Sequence, residues 1–215
     1  MDTKFKLNKS KQKKLFITGV GTEVGKTVCS AVLTKYFNAD YWKPVQSGDL
    51  HFSDSMKIKK WVGEGTVCHP ETYRFQLAAS PHQSAFEEGV VINLDKFMLP
   101  ETSNNLIIEG AGGLMVPLNG SDFIIDLIKK LRIPAAMVVR NYLGCINHSL
   151  LSILALNQKK IKLEYLILNG NFPPATEKVI CENIQPETQI IRIPDIEEIT
   201  QENLENIVKN LERIK

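Results

Sequence analysis

A glycine-rich loop at residues 21–27, with the sequence Gly-Thr-Glu-Val-Gly-Lys-Thr, carries the clearest chemistry in the chain. It follows the apolar run Leu-Phe-Ile-Thr at 15–18 and precedes a helical pattern, so its backbone N–H groups can converge on the phosphates of a nucleotide. In such loops the lysine adds positive charge and the threonine adds a hydroxyl for Mg²⁺, roles that fall here to Lys26 and Thr27. The sequence therefore predicts a protein that handles a nucleoside triphosphate.

The spacing of this loop departs from the usual pattern G-x-x-x-x-G-K-[ST]. That pattern would place its first glycine at position 20, which is Val20, whereas Gly19 lies one residue further out. We interpret the loop as a lengthened variant. A glycine turn that merely precedes a helix is the alternative, and the order of strand, Gly-Lys-Thr and helix argues against it.

Two further segments place charged side chains near the ends of predicted strands. The apolar run at 105–109 ends in Glu109 before a glycine turn, and a carboxylate in that position can reach Mg²⁺ held by the loop threonine. Lys43 ends the predicted strand at 40–45, where its ammonium could bind phosphate or a carboxylated intermediate, and Ser47 adds a donor. On the residues alone, an exposed glutamate and a solvated lysine remain the alternatives.

Two helix starts are ambiguous from the sequence. Asp54 begins a predicted helix. On spacing alone a helix-capping aspartate is the favoured interpretation, and a metal ligand is the alternative. Residues 143–148, Leu-Gly-Cys-Ile-Asn-His, open another helix whose free N–H groups could hold a carboxylate, although a simple strand-to-helix turn explains them equally well. We interpret His148 as structural.

These side chains can act together only if the carboxyl ends of their strands lie side by side at one edge of a sheet. Apolar, β-rich runs lie at residues 14–18, 40–45, 105–109, 135–139, 164–168 and 189–193. Amphipathic helical patterns lie at 26–37, 53–62, 123–131, 146–157, 175–184 and 200–214. Their alternation predicts an α/β fold of the P-loop NTPase type, with a mostly parallel central sheet flanked by helices on both faces. Ligands of such sheets bind outside the carboxyl ends of the strands. The less regular stretch at 63–100 is expected to form surface turns, a short strand and a short helix.

Composition narrows the class of protein. The 215 residues contain no linker, which predicts a single P-loop domain at 14–215 after a basic, flexible N-terminal arm at 1–13. With 26 basic and 24 acidic side chains, the net charge of +2 is too balanced for a general nucleic-acid surface. No apolar run approaches the roughly 18 residues of a membrane span, and the scattered cysteines suggest reduced thiols. We expect no nucleic-acid or membrane partner and a cytoplasmic location.

Taken in chain order, four motifs together closely resemble dethiobiotin synthetase. They are the loop at 21–27, Trp-Lys-Pro-Val-Gln-Ser-Gly at 42–48, Glu-Gly-Ala-Gly-Gly at 109–113 and Leu-Gly-Cys-Ile-Asn-His at 143–148. The extra residue in the loop matches the family form. The resemblance, which spans 15–194, implies ATP-dependent carboxylation and ring closure of 7,8-diaminopelargonate (7,8-diaminononanoate) with CO₂. The products would be dethiobiotin, ADP and phosphate, formed through a carbamate and a carbamic-phosphoric anhydride.

The same resemblance implies roles for individual residues. Lys43 and Lys26 would be catalytic, and Mg²⁺ would be held by Thr27, Asp54 and Glu109. The implied nucleotide contacts are Glu23, Val24, Gly25, Lys26, Thr27, Val28, Asp54, Glu109, Gly110, Ala111, Gly112, Asn169 and Gly170. The implied substrate contacts are Ser47, Leu143, Gly144, Cys145, Ile146 and Asn147. The family is a homodimer, in which the segment at 143–147 would serve the substrate of the partner subunit.

Two departures from the family pattern lie where the nucleotide base would bind. The family commonly has Asn-Asp where this chain has Asn169 and Gly170, which removes an acidic acceptor. It also commonly has Gly-x-[Ile/Leu]-Pro where this chain begins with Ile191. We therefore expect phosphate and metal contacts to be retained but base discrimination to be weakened, so that several nucleoside triphosphates support comparable turnover.

Two rival functions fit parts of the pattern. A partition or nitrogenase-iron-protein-like ATPase switch would have the same fold, but those loops carry a lysine at the position of Gly21. A nucleotide-binding scaffold without turnover is the second rival. The intact candidates Lys26, Thr27, Lys43 and Glu109 argue against it.

Overall fold

A seven-stranded parallel sheet with helices on both faces forms the body of the protein. The computed structural model describes residues 12–213. The strands are β1 (Lys14–Gly19), β2 (Ala39–Trp42), β3 (Val45–Ser47), β4 (Cys68–His69), β5 (Tyr73–Phe75), β6 (Asn105–Gly113), β7 (Ala135–Arg140), β8 (Leu163–Asn169) and β9 (Gln189–Ile193). The helices are α1 (Lys26–Tyr36), α2 (Asp54–Val62), α3 (Pro81–Glu87), α4 (Ile124–Leu131), α5 (Cys145–Gln158), α6 (Pro174–Cys181) and α7 (Gln201–Arg213).

The strand order places β1 at the centre of the sheet. Reading across, the order is β4-β2-β6-β1-β7-β8-β9, and neighbouring strands are parallel throughout. The chain first builds the β2 and β6 side of β1 and then crosses to the β7 side. The carboxyl end of β1 is therefore the point where the winding reverses, which is where parallel α/β sheets bind ligands. The predicted fold class is confirmed.

Both faces of the sheet are buried under helices. Successive residues of β1 alternate between the two sides, with Leu15 and Ile17 packing in one core cluster and Phe16 in the other. The cluster of Leu15 is covered by α1 and α7, and that of Phe16 by α4, α5 and α6. This double burial explains why the central strands are continuous apolar runs in the sequence.

One predicted strand, at residues 40–45, is wrong. The structure ends β2 at Trp42 and starts β3 at Val45, and β3 pairs with β5 in a separate two-stranded sheet. The reason lies in Pro44, which has no N–H to donate to a neighbouring strand. Its carbonyl instead accepts from the backbone N–H groups of Thr72 and Tyr73 at 3.0 and 3.1 Å. The chain thereby leaves the main sheet directly after Lys43.

The region at 63–100 contains one strand more than expected. Besides the helix α3, it forms β4, which extends the main sheet beside β2, and β5, which pairs with β3. Both strands are too short for a clear alternation of apolar and polar residues, which is the signal on which a strand prediction depends.

The predicted N-terminal arm at 1–13 lies almost entirely outside the described residues. Lys13, at its boundary, is attached to the domain, because its ammonium donates to Glu164 at 2.8 Å and to the Tyr165 hydroxyl at 2.6 Å. Within residues 12–213, no helix has the length and apolar character needed to cross a membrane.

Candidate active site

The loop at 21–27 connects the central strand β1 to α1, and its shape depends on residues with left-handed backbone. Glu23 and Gly25 have φ angles of 58° and 85°. A Cβ atom at Gly25 would lie 2.2 Å from Nδ2 of Asn169, so a side chain there is excluded. The same Nδ2 donates to the Val24 carbonyl at 2.9 Å, which fixes the loop against the end of β8. Because Gly25 caps α1 without a side chain, the first N–H groups of the helix stay available for an anion.

Lys26 is folded back over this loop. Its ammonium donates to the Gly21 carbonyl at 2.9 Å, and the residue is buried. Burial, together with the positive charge of Lys43, lowers the pKa of Lys26 to about 8, although Glu109 and Asp54 act in the opposite direction. A bound polyanion would favour the charged form of this lysine, as expected for a lysine that binds phosphate.

Glu109 is the centre of a buried polar cluster beside the loop. Its Oε1 accepts from the Thr27 hydroxyl at 2.9 Å and from the Lys43 ammonium at 3.1 Å. Its Oε2 accepts from the Tyr41 hydroxyl at 2.9 Å. Lys43 also pairs with Asp54 Oδ2 at 2.7 Å, so one ammonium lies between two carboxylates. The structure thus brings four distant sequence segments to one point.

The charges in this cluster hold one another in place. Burial alone would lower the pKa of Lys43, but the negative charges of Glu109 and Asp54 outweigh it and hold the pKa above its ordinary value. Burial alone would raise the pKa of Asp54, but Lys43 and then Lys57 overcome it and hold that pKa below its ordinary value. Both partners are therefore ionised at neutral pH.

The ordinary interpretations of three residues are wrong. Glu109 is only 1% exposed and lies inside β6, which continues to Gly113 rather than ending at the carboxylate. Lys43 is 5% exposed and not solvated. The N-cap of α2 is Ser53, and Asp54 directs its carboxylate to Lys43 and Lys57 instead of capping the helix. In each case a partner from another strand or helix decides the position.

The donor set around Lys43 fits Mg²⁺. It comprises the hydroxyl of Thr27 and the carboxylates of Asp54 and Glu109, all hard oxygen ligands. Among residues 12–213, no three His, Cys, Asp or Glu side chains converge. A magnesium ion here would therefore complete its shell with phosphate oxygens and water, as Mg²⁺ commonly does.

A cleft of about 640 Å³ opens in front of this cluster. It is lined by the following predicted site residues: Glu23, Gly25, Lys26, Thr27, Val28, Lys43, Ser47, Asp54, Glu109, Ala111 and Gly112. The Ser47 hydroxyl is buried and has no hydrogen-bond partner among the described residues, which leaves it free to bind a ligand. Ser80 and Pro81, at the start of α3, form part of the far wall.

Other predicted site residues lie outside this cleft. Val24 is buried beneath the loop, and Gly110 packs against Phe16, where a Cβ atom would lie 2.7 Å from the ring. Asn169 and Gly170 lie at the end of β8, beyond the loop. Four residues of segment 143–147 line a separate cavity of about 340 Å³ together with Asn141, Tyr142 and Thr176: they are Leu143, Gly144, Cys145 and Ile146. Asn147, the fifth predicted residue of this segment, lies in α5 and lines neither this cavity nor the cleft.

Sequence reasoning missed three residues of the cluster. Tyr41 donates to Glu109, Lys57 lies 3.2 Å from Asp54 Oδ1, and Gln46 accepts from the Asp54 backbone N–H at 3.3 Å. For Tyr41 a signal existed, because residues two apart on a strand point to the same side, as Tyr41 and Lys43 do. Lys57 follows Asp54 by one helical turn, which is also a readable spacing.

Comparison with known proteins identifies the family. A family model described as an AAA domain matches residues 13–203. A curated relative from Christiangramia forsetii, the ATP-dependent dethiobiotin synthetase BioD, is 47% identical over 78% of this chain and 81% of its own length. The enzymes of the same name from Cytophaga hutchinsonii and Bradyrhizobium diazoefficiens are 42% and 40% identical, over 88% and 92% of this chain and 92% and 94% of their own lengths. The chain belongs to the dethiobiotin synthetase family. The resemblance stated from the four motifs is thereby confirmed.

Solved structures agree with this family at the level of fold. A putative plasmid partition protein from Borrelia burgdorferi B31 bound to AMPPNP superimposes with a TM-score of 0.56, covering 95% of this chain and 97% of that chain. A ParA family ATPase from Chlorobium tepidum TLS gives a TM-score of 0.52, covering 94% and 92%. Both are 13% identical to this synthetase-family chain, so the likeness concerns the P-loop fold alone.

Replacing Tyr41 with phenylalanine tests whether its hydroxyl orients Glu109. We expect Tyr41→Phe to lower the free energy of unfolding by about 1–3 kcal/mol, because a buried carboxylate oxygen loses its partner. We also expect the Mg²⁺ concentration for half-maximal binding of a non-hydrolysable ATP analogue to rise about tenfold or more. Urea denaturation and titration calorimetry measure the two effects.

Tyr73→Phe is the matched control. The Tyr73 hydroxyl bonds Asn93, away from the cluster, so this variant should leave the Mg²⁺ dependence unchanged. An unaltered Mg²⁺ dependence in Tyr41→Phe would show that the hydroxyl stabilises the fold without orienting Glu109.

Proposed function

We propose that this protein converts 7,8-diaminopelargonate, CO₂ and ATP into dethiobiotin, ADP and phosphate. The family to which the chain belongs supports the reaction. The observation in the structure that supports it best is the Lys43 ammonium, held between Asp54 and Glu109 in the cleft beside the phosphate loop. A cation fixed at that point can serve a phosphoryl group on one side and a carbamate on the other.

The reaction consists of three bond-forming steps. One substrate amine attacks CO₂ and loses a proton, which gives a carbamate. A carbamate oxygen then attacks the γ-phosphorus, and the bond from that phosphorus to ADP breaks. The second amine attacks the carbamate carbon and loses a proton, phosphate leaves, and the ureido ring closes. None of these steps requires a covalent bond to the protein, so catalysis lies in positioning and charge stabilisation.

Each lysine has a distinct part in this proposal. Lys26 exchanges its contact with the Gly21 carbonyl for the phosphates and stabilises the group in transfer. Lys43 lies deeper, beside Glu109, where its ammonium neutralises charge on the carbamate and on the γ-phosphoryl oxygens. Because the paired carboxylates keep Lys43 protonated, it acts as a fixed charge and not as a base.

Mg²⁺, when bound, would neutralise phosphate charge and orient the oxygens of the triphosphate. The residues that would hold it are Thr27, Asp54 and Glu109; Asp54 and Glu109 both contact Lys43, and the Thr27 hydroxyl contacts Glu109. The diamine would lie against the wall of the cleft formed by β3, where the unpartnered Ser47 hydroxyl can donate to the carbamate or accept from an amine.

We further propose that the protein acts as a homodimer whose substrate site is completed by the partner subunit. Leu151 and Leu154, on one side of α5, are 57% and 53% exposed, and Leu143 before the helix is fully exposed. Met115 and Leu151 also line a cavity beside the phosphate loop. An exposed apolar surface of this kind supports a dimer, in which a second copy of the chain would cover it. Such a dimer would bring segment 143–147 near the partner's cleft.

We place the enzyme in the cytoplasm. Cys29, Cys68, Cys145 and Cys181 are free thiols in the described chain, which suits a reducing compartment. ATP and CO₂ are also available there for the proposed reaction.

The function is tested by phosphate release with Mg²⁺, ATP and bicarbonate, with and without 7,8-diaminopelargonate. We expect release to depend on the diamine and a product with the mass of dethiobiotin to accumulate in equal amount. Phosphate release that does not depend on the diamine would favour an ATPase switch. An absence of phosphate release would favour a nucleotide-binding scaffold. Either result would overturn the proposal.

Removal of the Lys43 ammonium tests its role in catalysis. Lys43→Ala should reduce kcat by about a hundredfold to a thousandfold, because the charge that stabilises the transferring group is lost. Binding of ATP, which depends on the loop, should persist. The variant also leaves two buried carboxylates unpaired, so thermal unfolding must establish that it is folded.

Lys130→Ala provides a matched control for Lys43→Ala. Lys130 forms an ion pair with Asp95 far from the cleft, so its removal should leave turnover unchanged. Lys43→Arg serves as the variant that keeps the positive charge if Lys43→Ala does not fold. Wild-type turnover in folded Lys43→Ala would remove Lys43 from the mechanism.

A charge placed on the apolar side of α5 tests the dimer. Leu151→Asp should produce a monomer by light scattering, lose diamine-dependent turnover and still bind ATP. Val67→Asp, at a position 49% exposed before β4, is the control and should keep the oligomeric state of the wild type. A monomeric wild-type protein with full turnover would contradict the dimer.

A further inference from the structure

The positions of the catalytic groups fix the direction in which a triphosphate must lie. Lys43, Asp54 and Glu109 all lie on the side of β1 that carries β6 and β2. The γ-phosphate must face these groups, while the loop above β1 holds the phosphates behind it. The nucleoside end of the molecule therefore extends the opposite way, over the carboxyl ends of β7, β8 and β9.

A carboxylate from the end of β9 lies at that place. Asp195 follows β9, and its Oδ1 accepts from the guanidinium of Arg140, at the end of β7, at 3.1 Å. Its Oδ2 accepts from the backbone N–H and the side-chain amide of Asn171 at 3.3 and 3.2 Å. The three strand ends are thus joined by one carboxylate beside Asn169, which contacts the phosphate loop.

Because Gly170 has no side chain, the Asp195 carboxylate can occupy the space above it. Its backbone has a φ of 91°, and a Cβ atom built on it would lie 2.7 Å from Asp195 Oδ1. Any side chain at position 170 would therefore displace Asp195. A carboxylate has about four positions at which it can accept hydrogen bonds, and the described residues fill three of those on Asp195. The remaining position belongs to Oδ1, the oxygen that lies over Gly170.

We propose that Asp195 determines base specificity by accepting a hydrogen bond from the exocyclic amino group of the nucleotide base. The inference rests on the ATP-dependent function proposed above and names the class of nucleotide the site takes. A carboxylate accepts hydrogen bonds but cannot donate them, so it favours an amino group and repels a carbonyl oxygen at the same position of the ring. The site selects adenine over hypoxanthine and cytosine over uracil.

With Asp195 in this role, the lack of an acidic side chain at Gly170 does not weaken base discrimination. The residue at 170 carries no acidic acceptor, but the structure brings one to the same place from the neighbouring strand. Base discrimination is thereby retained through Asp195 and not weakened. The alternative is a purely structural role, in which Asp195 only connects the loop after β8 to β9. In that case, substitution of Asp195 would not change the base preference.

The test compares nucleotides that differ only in the amino group. Binding of ATP against ITP, and of CTP against UTP, is measured by calorimetry with Mg²⁺ and without the diamine, so the result does not depend on dethiobiotin formation. We expect the wild type to bind each amino-bearing nucleotide about tenfold or more tightly than its oxo counterpart. Asp195→Asn, which exchanges an acceptor oxygen for a donor, should abolish or reverse both preferences.

Two controls separate base selection from loss of charge or structure. Inorganic tripolyphosphate has no base, so its affinity should be the same in Asp195→Asn and in the wild type. Glu187→Gln removes one exposed carboxylate before β9, at the far end of that strand, and should keep both base preferences.

Gly170→Ala is a second test of the same contact. It should lose the preferences as Asp195→Asn does, because its Cβ displaces the carboxylate.

Three results would overturn the inference. The first is equal binding of the amino and oxo nucleotides by the wild type. The second is an unchanged preference in folded Asp195→Asn. The third is an equal loss of tripolyphosphate and ATP affinity in that variant, which would assign Asp195 a general structural or electrostatic effect.

Discussion

The contact of the Lys43 ammonium with Asp54 and Glu109 is the interaction on which the site depends. It joins Lys43, directly after β2, to the first residue of α2 and to the middle of β6. Two carboxylates buried without this cation would be strongly destabilising, since a buried charge needs a partner. The stability of the fold and the geometry of the candidate site therefore both depend on this contact.

Much of the fold could be predicted from the sequence because parallel strands buried on both faces are continuous apolar runs. The phosphate loop was equally readable, since its chemistry lies within seven consecutive residues. The break after Lys43 was missed, because the effect of Pro44 depends on whether a neighbouring strand needs its N–H. The contact of Asp195 with Gly170 is hidden in the sequence for a related reason, because only the tertiary structure brings the ends of β8 and β9 together.

The comparisons separate what the fold provides from what the site provides. The partition protein and the ParA family ATPase share the fold of this chain at 13% identity. The likeness at the level of fold does not extend to function, for which this chain offers its own site: a buried lysine, an unpartnered serine and a cleft of about 640 Å³.

The small sheet of β3 and β5 has a consequence for how this enzyme can change. It is separated from the main sheet by Lys43 and Pro44, and it meets the segment before α3 closely, since a Cβ at Gly48 would lie 2.4 Å from Ala78. These parts form one wall of the cleft, while the loop and the main sheet form the other. Substitutions in that wall can reshape the cleft while the loop and the main sheet stay intact. The architecture thus lets the shape of the cleft evolve separately from the loop on the opposite wall.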